Sequence, residues 1–208
     1  MIPESLGIDF DNTIVCYDHV FAPAAVEMGL LAPGFRGGKA AVKAAIRTSA
    51  AGEDGWMRLQ GQVYGRFMTR ARLHNGVPAF LVACRERGVP VRIISHKTEH
   101  GHFDDARVNL RDAALRWMTD TGLFDTAQTG LTPGRVHFET TRDAKIQRIA
   151  ESGCSDFIDD LPEVLLDPAF PSGVGRHLIL ADVGAGGGTA EGIRTYRGWS
   201  DLYGAFFG

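Results

Sequence analysis

Three short apolar runs, each ending in polar or acidic residues, constrain this chain most: residues 6–10 (LGIDF), 89–95 (VPVRIIS) and 156–160 (DFIDD). None alternates strictly between apolar and polar, which is the pattern of a strand buried on both faces of a sheet. Residues 136–138 and 178–181 (LILA) add two further strand candidates, the first very short. Helical periodicity fills the spaces between. Residues 77–87 stop at Gly88, residues 105–121 put Val108, Leu110, Ala114, Leu115 and Met118 near one face, and residues 143–152 are closed by Gly153. Five strands alternating with helices predict an α/β fold, a doubly wound parallel sheet of Rossmann-like type. Right-handed crossovers then gather the polar strand ends on one edge.

Residues 15–75 break this rhythm, being too long for a crossover and helical in character. They are expected to form a small α-helical cap inserted into a core made of residues 1–14 and 76–208. Within the insertion, Trp56, Leu59, Val63, Tyr64, Phe67 and Met68 recur at helical spacing, which predicts interior packing rather than a ligand surface. Residues 184–188 hold Gly184, Gly186, Gly187 and Gly188 but neither a P-loop Lys-Ser/Thr ending nor GxGxxG, so a simple loop is expected there.

Bulk composition narrows the function. A chain of 208 residues with 44% apolar content supports one domain with an elaboration. A net charge of -3 provides no basic field for a nucleic acid polymer, so the expected partner is a small molecule. Cys16, Cys84 and Cys154 are far apart and show no zinc spacing, which fits a reducing cytoplasm. Pro3 and Glu4 stand where a signal peptide needs a basic and then an apolar stretch, and no apolar run reaches membrane-spanning length. The expectation is a cytoplasmic protein without a membrane segment.

Asp9 and Asp11 flank Phe10 at the end of the first run. In extended chain, residues i and i+2 project to the same side, so these carboxylates share a small volume. Two such anions about 4 Å apart repel by roughly 4 kcal/mol at an effective dielectric of 20. A positive group must stand nearby. Ser95 ends the second run, Lys145 lies in the first turn of the helix after residue 138, and Asp159 and Asp160 end the third run. Taken singly, these residues read as turn formers, caps or a solvated lysine. Together they lie where a doubly wound sheet builds its site.

GIDFDNT, RIIS, a lone lysine and FIDD resemble, in order and spacing from residue 6 to residue 160, the four motifs of the haloacid dehalogenase-like hydrolase superfamily. The resemblance implies that Asp9 is a nucleophile, Asp11 its acid/base partner, Ser95 a phosphate-binding hydroxyl and Lys145 a charge-neutralising amine. It also implies a Mg2+ site formed by Asp9, Asp11 through its backbone carbonyl, and Asp159 or Asp160, leaving open which of the last two binds directly. Aspartate at position 11, able to protonate a poor leaving group, points to the phosphatase and mutase branches. Phe10, Asn12, Thr13, His96 and Lys97 are expected on the substrate side. The implied function is Mg2+-dependent hydrolysis of a small-molecule phosphate monoester through an aspartyl-phosphate. A phosphoryl-transferring mutase is the alternative, followed by a non-catalytic domain that binds a phosphorylated ligand.

Overall fold

The computed structural model describes residues 2–104, 106–180 and 192–208. The glycine cluster of residues 184–188 and the last residue of the LILA run lie outside the described residues. In chain order the elements are β1 (Leu6–Ile8), β2 (Val15–Cys16), α1 (Asp18–Glu27), α2 (Lys39–Arg47), α3 (Gly52–Tyr64), β3 (Arg72–Leu73), α4 (Val77–Glu86), β4 (Val91–His96), α5 (Leu110–Asp120), α6 (Thr126–Thr129), β5 (Val136–Glu139), α7 (Arg142–Ser152), β6 (Asp156–Asp159), α8 (Pro162–Leu165), β7 (Gly175–Ile179), β8 (Ile193–Tyr196) and α9 (Trp199–Phe207). They divide into two compact units, one of Met1–Val15, Leu73–Lys97 and Thr121–Gly208, the other of Cys16–Arg72 and Thr98–Asp120.

The first unit is built on a parallel sheet of six strands in the order β5-β4-β1-β6-β7-β8. β1 is central, with Gly7 opposite Arg92 of β4 on one side and Phe157 of β6 on the other. From β1 the chain builds outward through β4 and β5, then returns to β6 on the opposite side, so the strand order reverses beside β1. The doubly wound sheet expected from the sequence is therefore present. It carries one strand that the apolar runs do not announce, the edge strand β8 (IRTY), whose middle residues Arg194 and Thr195 are not buried.

One side of the sheet packs on α7 and α8 through Ile146, Ile149, Phe157, Val164, Leu165 and Phe170. Gly7 makes room for this layer, because a Cβ there would meet the Phe157 ring at 2.5 Å. A second aromatic layer joins α4 to α9, where Phe80 lies edge-on to Trp199 with ring centroids 4.9 Å apart. Burial of aromatic rings supplies much of the drive for both layers.

The second unit is helical. Of the residues at helical spacing, Trp56, Leu59, Val63, Phe67 and Met68 are buried in it and Tyr64 is half-buried. The Tyr17 hydroxyl donates to the Met68 sulfur at 3.2 Å, and Trp117 Nε1 donates to the Ala71 carbonyl at 3.2 Å. Two differences from the sequence reading stand out. The helix expected over 105–121 begins only at Leu110, because the preceding residues are engaged in local turns. There Asp104 accepts from the Ala106 and Val108 amides, and Asn109 accepts from the Arg111 and Asp112 amides. Thr98–Asp120, expected within the core of residues 76–208, groups with Cys16–Arg72 in the second unit. Among the described residues, no helix is long and apolar enough to cross a membrane.

Candidate functional site

Each acid is positioned by the sheet register. Asp9 follows β1, and its amide donates to the Ile158 carbonyl at 2.9 Å, extending the β1–β6 ladder by one residue. Asp159 ends β6 and Asp160 follows it. Ser95 lies near the end of β4. Lys145 is in the first turn of α7, whose start is fixed by the Thr141 side chain accepting from the Ala144 amide at 3.1 Å. Asp9, Asp159 and Ser95 therefore meet at the carboxyl edge of the sheet, where the strand order reverses. Open α/β sheets bind ligands at this place.

The side chains converge. The Lys145 ammonium donates to Asp9 Oδ1 and Asp159 Oδ2, both at 2.6 Å, and is 1% exposed. The second oxygen of Asp159 accepts from the Leu161 amide at 3.0 Å, so both of its oxygens are engaged. The Thr13 hydroxyl lies 3.1 Å from Asp160 Oδ1 and 3.4 Å from Asp9 Oδ2. Its one proton is better placed for Asp160. The Trp199 indole donates to the Thr13 carbonyl at 3.0 Å, which holds this turn against α9. One oxygen each from Asp9, Asp159 and Asp160 fall within 4.8 Å of one another, close enough to share a cation.

Three carboxylates, two of them buried and Asp160 half-buried, stand against one ammonium. Burial pushes the Asp159 carboxyl up to about 7; Asp9 adds to the rise, while Lys145 opposes it. Asp160 is likewise raised, by burial first and then by Asp9 and Asp159. Burial alone lowers a lysine, yet Asp9 and Asp159 outweigh it and hold Lys145 above its ordinary value. Among the described residues, Lys145 is the one ammonium bonded to the cluster, and the acids outnumber it.

The Asp11 carboxylate is outside this group and receives Lys97 instead, with Nζ at 3.0 and 2.8 Å from its two oxygens. Lys97 is 3% exposed, so the residue expected against substrate is occupied by an acid of the same unit. Phe10 is fully buried with its ring edge-on to Phe138, and Thr13 is fully buried as well. Their side chains therefore face protein. Asn12 takes a left-handed turn with φ of 62°, which asparagine tolerates better than most residues. His96 is exposed, with Nε2 2.9 Å from the Thr140 carbonyl oxygen. Ser95 is buried near the end of β4, one strand over from Asp9. Thr13, expected against substrate, instead bonds within the acid cluster, and Thr141 and the Leu161 amide complete the site unannounced by the motifs.

No family model and no curated protein matches the chain. Solved structures do. Protein Tyrosine Kinase A (PtkA) of Mycobacterium tuberculosis aligns with a TM-score of 0.64 at 15% identity, covering 100% of this chain and 99% of that one. The HAD-hydrolase YfnB of Bacillus subtilis, described as bound to magnesium, gives 0.61 at 13% identity and covers 100% of both chains. A HAD-superfamily hydrolase of Ehrlichia chaffeensis gives 0.57 at 11% identity, covering 99% of this chain and 97% of that one. At such identities the likeness is one of fold, and the chain has the fold of haloacid dehalogenase-like hydrolases.

Proposed function

We propose that this chain is a Mg2+-dependent phosphohydrolase that cleaves a small-molecule phosphate monoester, with Asp9 as the nucleophile. The observation that carries the proposal is the set of buried Asp9 and Asp159, bonded to a single ammonium, with half-buried Asp160 beside them, at the reversal point of a doubly wound sheet. Excess buried charge is costly unless it is compensated, and the missing partner is cationic. An all-oxygen donor set suits a hard ion such as Mg2+. The side chains of Asp9 and Asp160 and the backbone carbonyl of Asp11 would hold it. Asp160 is preferred over Asp159 as the direct ligand, since both Asp159 oxygens already have donors. A bound Mg2+ neutralises charge on the phosphoryl oxygens and orients the group. The fold likeness to YfnB, described as magnesium-bound, supports this choice.

The residues then divide the chemistry. Lys145 engages Asp9 Oδ1, which leaves Oδ2 to attack phosphorus. The new O–P bond forms as the ester O–P bond breaks, and the departing alkoxide takes a proton from Asp11. In the second step a water attacks the aspartyl-phosphate, Asp11 takes its proton, and inorganic phosphate leaves with Asp9 restored. The Ser95 hydroxyl and the Lys145 ammonium stabilise the equatorial oxygens without moving.

Transfer to an acceptor other than water uses the same residues. The fold likeness to a protein named as a tyrosine kinase favours keeping this second reading. Products from a bisphosphate substrate separate the two, since hydrolysis releases inorganic phosphate and a mutase returns a rearranged ester. The first test is a panel of natural phosphate esters assayed with Mg2+ and with chelator. Turnover is expected only with Mg2+, and Asp9→Asn is expected to lower it at least about 10³-fold with the fold intact. Appreciable activity in Asp9→Asn would mean that the nucleophile lies elsewhere.

A further inference from the structure

Lys97 takes no part in the chemistry assigned above, yet it is among the most buried charged residues of the first unit. Ser95 and Lys97 are two residues apart at the end of β4, so they project to the same face. The backbone of Lys97 is fixed, because its amide donates to the Glu139 carbonyl at 2.8 Å and carries the β4–β5 ladder past His96. Its side chain runs beside the Phe10 ring, with Nζ 5.5 Å from the centroid, and that ring is itself held by Phe138. At the end of this guided path Nζ meets both oxygens of Asp11, at 2.8 and 3.0 Å. A donor placed evenly between two carboxylate oxygens restrains rotation of the carboxylate as well as its position.

We propose that Lys97 is a positioning residue that aims the Asp11 carboxylate, and not a contact to substrate. The inference rests on the reading of Asp9 as nucleophile and Asp11 as proton-transfer partner. Asp11 must serve the leaving oxygen in one half-reaction and the attacking water in the next, so its carboxylate has to keep one orientation across both. Its own backbone lies in a turn containing a left-handed residue, Asn12, and is a weaker guide than a buried ammonium on a strand end. A misplacement of about 1 Å in such a group costs up to about 10²-fold in rate.

The test is a double-mutant cycle on the intact protein with saturating Mg2+, using an aryl phosphate with a good leaving group and an alkyl phosphate with a poor one. Lys97→Met is expected to lower kcat about 10- to 100-fold with KM changed less than about threefold, and to do more harm with the alkyl ester. In an Asp11→Asn background the same change should cost less than about twofold, because there is no longer a carboxylate to aim. Lys97→Arg should recover part of the loss. Lys97→Gln, which keeps a donor and most of the length, carries the same cycle if Lys97→Met does not fold. A raised KM with unchanged kcat would make Lys97 a substrate contact and overturn the inference, as would full multiplication of the Lys97 and Asp11 effects. Should Asp9→Asn keep wild-type turnover, the underlying assignment of the nucleophile fails, and that failure is visible before any Lys97 variant is compared.

Discussion

Strand β6 carries an acid at each end, and the two ends handle buried charge in opposite ways. At its start, Asp156 accepts from His177 Nε2 at 2.7 Å and from the Ser155 hydroxyl at 2.8 Å, while His177 Nδ1 lies 3.1 Å from the Tyr196 hydroxyl. The His177 hydrogen bond holds the Asp156 carboxyl below its usual range, against burial and with help from Ser155. At its finish, three residues and about 10 Å further on, Asp159 is pushed up to about 7. One end has a polar partner for every acid oxygen and strengthens the fold. The other gathers more acids than cations, an arrangement that costs stability by itself and makes sense as a place for a ligand.

Removing the single ammonium from the overcharged end should have the largest effect. Lys145→Met is expected to lower unfolding stability by about 3 to 5 kcal/mol, since it strands Asp9 and Asp159 without a partner. Chemical denaturation checks this, and a loss below about 1 kcal/mol would mean that the cluster is not short of positive charge.

A smaller effect is expected at the balanced end. Asp156→Ala should cost about 1 to 3 kcal/mol at neutral pH by leaving the His177 ring nitrogen without its acceptor. Because the folded carboxyl titrates below its unfolded value of about 3.9, its contribution is present above that pH and lost as pH falls through the folded value. The gap between wild type and Asp156→Ala should therefore narrow below about pH 4. A gap that stays constant into acid would show that the Asp156 charge does not matter to His177.

The contrast also explains what the sequence made legible. That Asp9, Ser95, Asp159 and Asp160 share one edge was legible because each lies at the end of a buried apolar run, and strand ends in a parallel sheet share an edge. Lys145 followed from its place in the first turn of the next helix. Partnerships across long separations left no local trace. Lys97 meets Asp11 across 86 residues and Thr13 meets Asp160 across 147, and no periodicity encodes either contact. The edge strand β8 escaped because its polar middle residues, exposed Arg194 and half-buried Thr195, dilute the apolar signal. The allegiance of Thr98–Asp120 escaped because an amphipathic pattern shows that a helix has a buried face but not which neighbour covers it.

The most direct test of the claim that the far end of β6 is a cation site is calorimetric titration of Mg2+ into wild type, Asp160→Asn and Asp156→Asn. One site is expected, tighter at pH 8 than at pH 5 because protons compete for Asp159 and Asp160, whose carboxyls titrate above the usual range. Asp160→Asn should weaken it at least about tenfold, while Asp156→Asn should leave it unchanged. Absence of binding to wild type, or equal binding to Asp160→Asn, would contradict the assignment.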